Sequence, residues 1–173
     1  MRQLARENPA DSHLVRPVVE RWLAENPGLR TVAVFSPLPG EVDLTEFATR
    51  HPERRWVWPR VAGDELHFHH VGNPNSQLMP GAFGVSEPPP DLPVIPVERI
   101  DAFLCPGLAF DARGGRLGRG RGFYDRMLAK ARPDALRIGV CFPWQIVADT
   151  FPEAHDVIMD EVLSAVSPPH GEQ

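Results

Sequence analysis

Lysine is nearly missing from this chain. Lys130 is the only one among its 18 lysine and arginine residues, so arginine at any one position carries no message of its own. Cysteine is scarce as well. Cys105 and Cys141 are the only two, and each lies in an apolar, strand-like run ("AFLCP", "RIGVCF"). That setting reads as buried, reduced thiols and not as a disulfide framework. Neither has the close Cys or His spacing of a zinc site. No apolar run approaches the ~20 residues that a membrane helix needs. The N-terminal "MRQLARENPADSH" lacks the apolar segment of a secretory signal. The expectation is a cytoplasmic protein with no membrane partner. The net charge is −5, which argues against general nucleic-acid binding, because that affinity rests on cationic surface.

What is present fits a globular domain. Over 173 residues, 42% are apolar and 24% charged, enough for one domain, 1–173, with a sizeable core. "SHLVRPVVERWLAE" (12–25) has helical spacing, with Leu14, Val18 and Trp22 on one face beside Val15 and Val19. Pro17 suits only a first turn, and Asn26-Pro27-Gly28 ends the helix. "RTVAVF" (30–35) reads as a buried strand. Asp43 is a candidate cap for a short helix over "LTEFATRH". "RWVWPRV" and "ELHFHHV" form a strand pair around Ala62-Gly63-Asp64, with Pro59 placing the first at an edge or at its own end. Residues 72–99, rich in Pro, Gly, Asn and Ser, read as an ordered connecting loop. "IDAFLCP" and "LRIGVCF" are further buried strands, separated by a helix over "YDRMLAKAR" that Pro133 ends. "HDVIMDEVLS" contains short extended segments, and 166–173 is an expected flexible tail. Alternating strands and helices predict an α/β layered domain with a largely parallel sheet, in which ligands gather beyond the C-terminal ends of strands.

The basic charge is concentrated. Arg113, Arg116, Arg119, Arg121 and Arg126 all fall between 113 and 126. Most of them lie in "GGRLGRGRGFYDRML" (114–128), which follows a strand and precedes a helix. Glycines at 118, 120 and 122 permit positive φ and close approach of amides to a ligand. Successive amides in such a turn, with the following helix start, form an anion-binding concavity. Arginines add charge-assisted contacts to phosphate. Neither of the two common phosphate-loop patterns, G-x-x-x-x-G-K-[ST] or G-x-G-x-x-G, is matched. Composition alone leaves a solvated basic turn as open as a ligand loop; the joint arrangement with Asp125 at the helix start favours a small anionic ligand.

"FLCPGLAFDARGGRLGRGRGFYDRML" closely resembles the signature of the 5-formyltetrahydrofolate cyclo-ligase family, approximately V-P-G-x-A-F-D-x-x-G-x-R-L-G-x-G-x-G-Y-Y-D-R. "FSPLPGEVD", "WVWPRV", "GAFGVSEPP", the Gln of "FPWQ" and "HDVIMDEVLS" follow in family order, so the resemblance spans roughly 30–165. It implies a three-layer α/β/α fold with a largely parallel central sheet, similar to the sugar-phosphate isomerase and CoA transferase group. It also implies an enzyme that uses ATP and magnesium to close 5-formyltetrahydrofolate into 5,10-methenyltetrahydrofolate through a phosphorylated formyl group, with release of ADP and phosphate. The partners would be these small molecules only, and the protein a monomer or weak homo-oligomer.

Carried over by position, the resemblance assigns ATP phosphates to Arg116, Leu117, Gly118, Arg119, Gly120, Arg121, Gly122, Phe123 and Tyr124. Arg119 and Tyr124 would be catalytic. Arg119 to Phe123 would also face the formyl-folate, together with Ser36, Glu41, Trp144 and Gln145. Asp125 and Asp160 match magnesium ligands. Arg2 and Arg6 have the spacing of a family Lys-x-x-x-Arg pair that serves the nucleotide, although a frayed terminus is the rival reading. Phe123 stands where Tyr is usual. That departure and the short N-terminal region keep two alternatives open: a relative acting on another N-formyl or carboxylate substrate, and a non-catalytic folate- or nucleotide-binding regulator.

The remaining candidates have blander readings. His67 and His69 share one face of a strand by alternation, where exposed histidines are ordinary, and "HFHH" has no companion ligands for zinc. His155 suits a structural hydrogen bond. Trp56, Trp58 and Phe68 suit the core, leaving Trp144 as the aromatic candidate for a pocket.

Overall fold

The computed structural model describes residues 11–165; Arg2, Arg6 and the 166–173 segment lie outside the described residues. In chain order the elements are α1 (Ser12–Glu25), β1 (Thr31–Ala33), α2 (Phe47–Arg50), β2 (Arg55–Ala62), β3 (Glu65–His70), α3 (Pro74–Gln77), β4 (Met79–Pro80), β5 (Ser86–Glu87), β6 (Val94–Ile95), β7 (Ala102–Cys105), β8 (Ala109–Phe110), β9 (Arg116–Leu117), α4 (Phe123–Leu128), β10 (Leu136–Val140) and β11 (Glu161–Leu163). Seven strands form one mixed sheet in the order β11-β10-β7-β1-β2-β3-β6, and β4-β5 and β8-β9 are separate two-stranded pairs. From β11 to β2 every pairing is parallel, and β3 and β6 add antiparallel partners at one side.

Alternation along the central strands builds two cores. Val32, Trp56, Trp58, Leu104 and Ile138 face α1 and α2 through Val15, Val19, Trp22 and Phe47. Ala33, Val57, Phe103 and Cys105 face the other way, onto Met127 and Leu128 of α4. Because strand side chains alternate in direction, one sheet is covered on both faces. This is the three-layer α/β architecture that the resemblance implies. Cys105 and Cys141 are free and buried, and burial pushes both thiols up to about 12, which makes them poor nucleophiles.

Several expectations are corrected. The buried stripe of α1 is Val15, Val19, Trp22 and Leu23, and Leu14 is exposed. Pro17 lies inside α1, beyond its first turn, so the helix holds together without the hydrogen bond that proline cannot donate. Asp43 does not cap α2; its Oδ1 accepts the Thr45 amide at 2.9 Å, and the helix starts only at Phe47. Pro59 is in a strand flanked on both sides, but β1 pairs only as far as Val57, so at Pro59 the partner on that side has ended. α4 stops at Leu128, and Lys130 and Ala131 continue as tighter turns to the carbonyls of Met127 and Leu128. The ordered connection over residues 72–99 contains short elements of its own, α3, β4, β5 and β6. His69 is buried and not exposed, because that segment covers it: its Nδ1 is 2.9 Å from the Leu92 carbonyl.

One packing contact is demanding. Phe110 is fully buried, and a Cβ on Gly139 of β10 would stand 2.5 Å from its Cε1. Overpacking of this kind typically costs ~1–3 kcal/mol. Gly139→Ala is therefore expected to lower the thermal midpoint by roughly 3–8 °C at this chain length, measured by calorimetry against the unsubstituted protein.

Candidate functional site

β1 and β7 are adjacent, and the chain leaves them toward opposite sides of the sheet, to β2 and to β10. A cleft of about 430 Å³ opens beyond their C-terminal ends, against Phe35 and Ser36 after β1 and Pro106 and Gly107 after β7. This is the position at which open parallel sheets bind ligands. One wall is apolar, from Pro59, Val61 and Leu66 of β2 and β3 and from Phe83 and Val85 between β4 and β5. Thr150, Phe151, Glu153, His155 and Asp156 also line the cleft. The whole stretch from Arg116 to Asp125 completes the lining.

The conformation of that stretch has identifiable causes. The β8–β9 hairpin turns on Asp111, whose Oδ1 accepts the amides of Arg113 (2.9 Å) and Gly115 (3.0 Å). Its Oδ2 accepts both the amide (2.9 Å) and the hydroxyl (2.7 Å) of Thr150. These bonds, led by the Thr150 hydroxyl, hold the Asp111 carboxyl well below the usual carboxylate range. After β9 the chain reverses through Gly120 (φ 91°) and Gly122 (φ 70°), backbone angles that glycine takes without steric cost, and enters α4.

The arginines divide by depth. Arg116 is buried. Its Nη1 donates to the Pro106 carbonyl at 3.1 Å, its Nη2 lies 3.6 Å from Asp125 Oδ2, and its guanidinium lies 5.3 Å from the Tyr124 ring centroid. Burial pushes the Tyr124 hydroxyl well above its ordinary value. Arg119 is half-exposed and reaches across the cleft to Glu41, with Nε and Nη2 at 3.3 and 3.2 Å from Oε1. Burial raises the Glu41 carboxyl, against the opposing effects of the Leu38 amide that it accepts and of Arg119. Arg121 stacks at 3.7 Å from the Phe83 ring centroid. Arg126 instead ties the loop down, donating to the carbonyls of Arg121 and Asp64. Ser36 Oγ is buried beside the cleft without a hydrogen-bond partner, a polar group left for a ligand to satisfy.

The structure thus brings Ser36, Glu41 and Arg116 to Asp125 together. It does not bring the others. Trp144 stacks on Phe142, with ring centroids 4.6 Å apart, and is not among the cleft residues. The Gln145 amide is buried in a structural role, accepting the Phe142 amide and donating to the Gly107 carbonyl, both at 2.8 Å. It supports the strand end beneath the cleft and does not face it. Asp160 lines a separate, smaller pocket with Asp111 and Arg113, and its Oδ2 accepts the Arg137 amide at 2.7 Å. Phe83, Glu87, Thr150, Phe151 and Asp156 are cleft residues that sequence reasoning missed. Positive φ at Phe83 and Phe151 has no readable sequence signal, and Glu87 is recognisable only once its burial is known.

Asp125 is the acidic group best suited to a cation. Its Oδ1 accepts the Val157 amide at 3.0 Å, and Oδ2 has only the looser Arg116 contact. Among the described residues no group of three or more His, Cys, Asp or Glu side chains could enclose an ion. One carboxylate beside an arginine-glycine loop nevertheless fits magnesium, which is commonly held by one or two carboxylates and the phosphates of its substrate. Also among the described residues, no helix is long and apolar enough to cross a membrane.

Fold and cleft together define an α/β domain with an arginine-glycine loop at the switch point of its sheet. The chain belongs to the 5-formyltetrahydrofolate cyclo-ligase family, whose model matches residues 24–165. It is 34% identical to the 5-formyltetrahydrofolate cyclo-ligase of Escherichia coli K12 over 146 residues, 78% of this chain and 77% of that protein. The Mycolicibacterium smegmatis 5-formyltetrahydrofolate cyclo-ligase is 44% identical over 90 residues, a stretch spanning 50% of this chain and 45% of that protein. Among solved structures, the 5,10-methenyltetrahydrofolate synthetase of Aquifex aeolicus superposes with a TM-score of 0.78 at 28% identity, covering 96% of this chain and 91% of that one.

Proposed function

We propose that the protein is an ATP-dependent 5-formyltetrahydrofolate cyclo-ligase that forms 5,10-methenyltetrahydrofolate. The observation that carries this reading is the course of Arg116–Asp125 along an otherwise largely apolar cleft, in a chain of this family. A formamide oxygen is a poor leaving group. Transfer of the terminal phosphoryl group of ATP to that oxygen releases ADP and makes it a good one. N10 then attacks the formyl carbon, the phosphate departs with the oxygen, and loss of the N10 proton leaves the methenyl bridge.

Little covalent chemistry falls to the protein in such a reaction; positioning and charge stabilisation dominate. Arg119 and Arg121 are the accessible cations for the triphosphate, and glycine amides allow close approach. Arg116 acts beneath them by holding Asp125 and Tyr124 in place. Asp125 would hold magnesium, which supplies charge neutralisation at the phosphate oxygens. Glu41 accepts hydrogen bonds from the pterin or from N10–H once Arg119 turns to phosphate. Val61, Leu66, Phe83 and Phe123 provide the apolar wall for the folate ring system. Phe123 keeps the ring of the usual Tyr there without the hydroxyl, so folate orientation rests on the remaining groups.

The test is direct. Purified protein mixed with ATP, magnesium and 5-formyltetrahydrofolate should produce the absorbance of the methenyl product in step with ADP. Folded protein that gives neither would overturn the assignment, and ADP release with no methenyl absorbance would point to a different formyl or carboxylate acceptor.

A further inference from the structure

The geometry points to Phe151 as the aromatic platform on which the planar base of the nucleotide stacks. This rests on the proposed use of ATP and adds to it a binding residue outside the glycine loop. Phe151 is 80% exposed, a large apolar side chain presented to solvent at the rim of the cleft. Its φ is 53°, a rare value for a bulky residue. The residue also precedes Pro152, and a residue before proline is normally pushed to extended backbone at negative φ. A side chain both strained and exposed contributes little to the fold, and such strain persists only where the surroundings impose it.

The surroundings do impose it. Asp149, on one side, pairs with Arg113 at 2.7 Å and accepts the Phe151 amide at 2.7 Å. Thr150 is fixed to Asp111 by its amide and its hydroxyl. Beyond Pro152, Glu153 and Asp156 close a turn on each other, through Glu153 N to Asp156 Oδ2 at 2.7 Å and Asp156 N to Glu153 O at 3.1 Å. The next residue, Val157, donates its amide to Asp125. The segment is therefore fastened at one end to Asp111, which shapes the entry to β9, and at the other to Asp125, which follows the glycine loop. Phe151 projects between those two anchors.

This location selects the ligand. The anchors are the residues that bracket the stretch proposed to take the phosphates, and Phe151 lines the same cleft as that stretch, which suits it to the part of the nucleotide beyond the phosphates. A second aromatic position in the same cleft is formed by Phe83 and Phe123, whose ring centroids are 6.2 Å apart. Two aromatic positions in one cleft suit two planar substrates, and Phe151 is the one on the segment fastened to Asp125. Stacking on an aromatic side chain is sequence-tolerant and needs only a π-face, so the residue would hold a purine without a hydrogen-bond code.

Calorimetry with the full chain tests this, using ATP, inorganic tripolyphosphate and 5-formyltetrahydrofolate as separate probes. Phe151→Ala should weaken ATP roughly tenfold or more, leave tripolyphosphate and the folate within about twofold, and be rescued by Phe151→Tyr. Phe151→Gly should weaken ATP equally while raising the thermal midpoint by roughly 2 °C, because glycine relieves the left-handed backbone. Unchanged ATP affinity in the Ala and Gly variants would overturn the inference. So would an equal loss of tripolyphosphate, which would mean that the whole loop had been disturbed. Failure of the unsubstituted protein to bind ATP refutes the proposed function itself, whereas normal binding that ignores Phe151 refutes only the role of this residue.

Discussion

Asp125→Asn is expected to lower kcat by about 100- to 1000-fold, the range typical for losing one electrostatic contact that matters in the transition state, while leaving the fold intact. The separation of the two effects comes from the geometry. The substituted amide keeps an oxygen to accept the Val157 N–H, which lies 3.0 Å from Asp125 Oδ1, so the 149–157 wall should stay anchored. Arg116 loses its anionic neighbour at 3.6 Å but keeps the Pro106 carbonyl and the Tyr124 ring. What disappears is the full negative charge beside the arginine-glycine loop. Turnover followed across a magnesium titration, beside a thermal melt, checks this. Near-normal turnover at low magnesium would remove Asp125 from the metal role; a collapsed melt would make it a structural residue first.

Asp111→Ala should have the largest effect on stability. One buried carboxylate accepts four hydrogen bonds, from Arg113, Gly115 and, twice, Thr150. Bonds to a charged acceptor are each worth ~1.5–3 kcal/mol, and removing the acceptor leaves its donors unpaired. These contributions are not additive, so a total of about 3–5 kcal/mol is expected, with a fall in thermal midpoint of roughly 10 °C. The sign of the pH dependence follows from the depressed folded-state carboxyl. Its contribution is fully present above the unfolded aspartate value of about 4 and is lost as pH falls from there toward the lower folded-state value. The stability gap between the protein and Asp111→Asn should therefore be widest near neutrality and narrow progressively below about pH 4. A gap independent of pH would assign the effect to packing and not to charge.

Both residues are visible in the sequence, but for different reasons and to different depths. Asp125 is marked by its place after three alternating glycines and before a helical run, and the metal role is what resemblance to a family motif implies. Asp111 lies inside the same motif, yet nothing local shows that its main partner is Thr150, 39 residues away. The α/β class, the central strands and the burial of Trp56, Trp58 and Phe68 are legible because periodicity is a local property. Element ends are less so: α4 and α2 are shorter than their apolar spacing suggests, since packing decides where a marginal last turn tightens.

Trp144 and Gln145 show how a motif position and its tertiary setting can differ. A motif position reads as a ligand contact, whereas the Gln145 amide is consumed by Phe142 and Gly107. Asp160 Oδ2 likewise accepts the amide of Arg137 on the strand beside it. The prolines of the 72–99 segment read as a connection, and the segment supplies Phe83, Val85 and Glu87 to the cleft.

Glycine, charge and hydrophobic period act over neighbouring residues, so the layered class of this protein, its arginine-glycine loop and the carboxylate at the end of that loop are legible before any folding. Only the tertiary structure decided that Glu41 meets Arg119 across the cleft, that Asp111 clamps Thr150, and that a strained Phe151 is left standing at the rim. Those arrangements depend on which strand ends the sheet order places side by side, and that order is a property of the whole chain's packing.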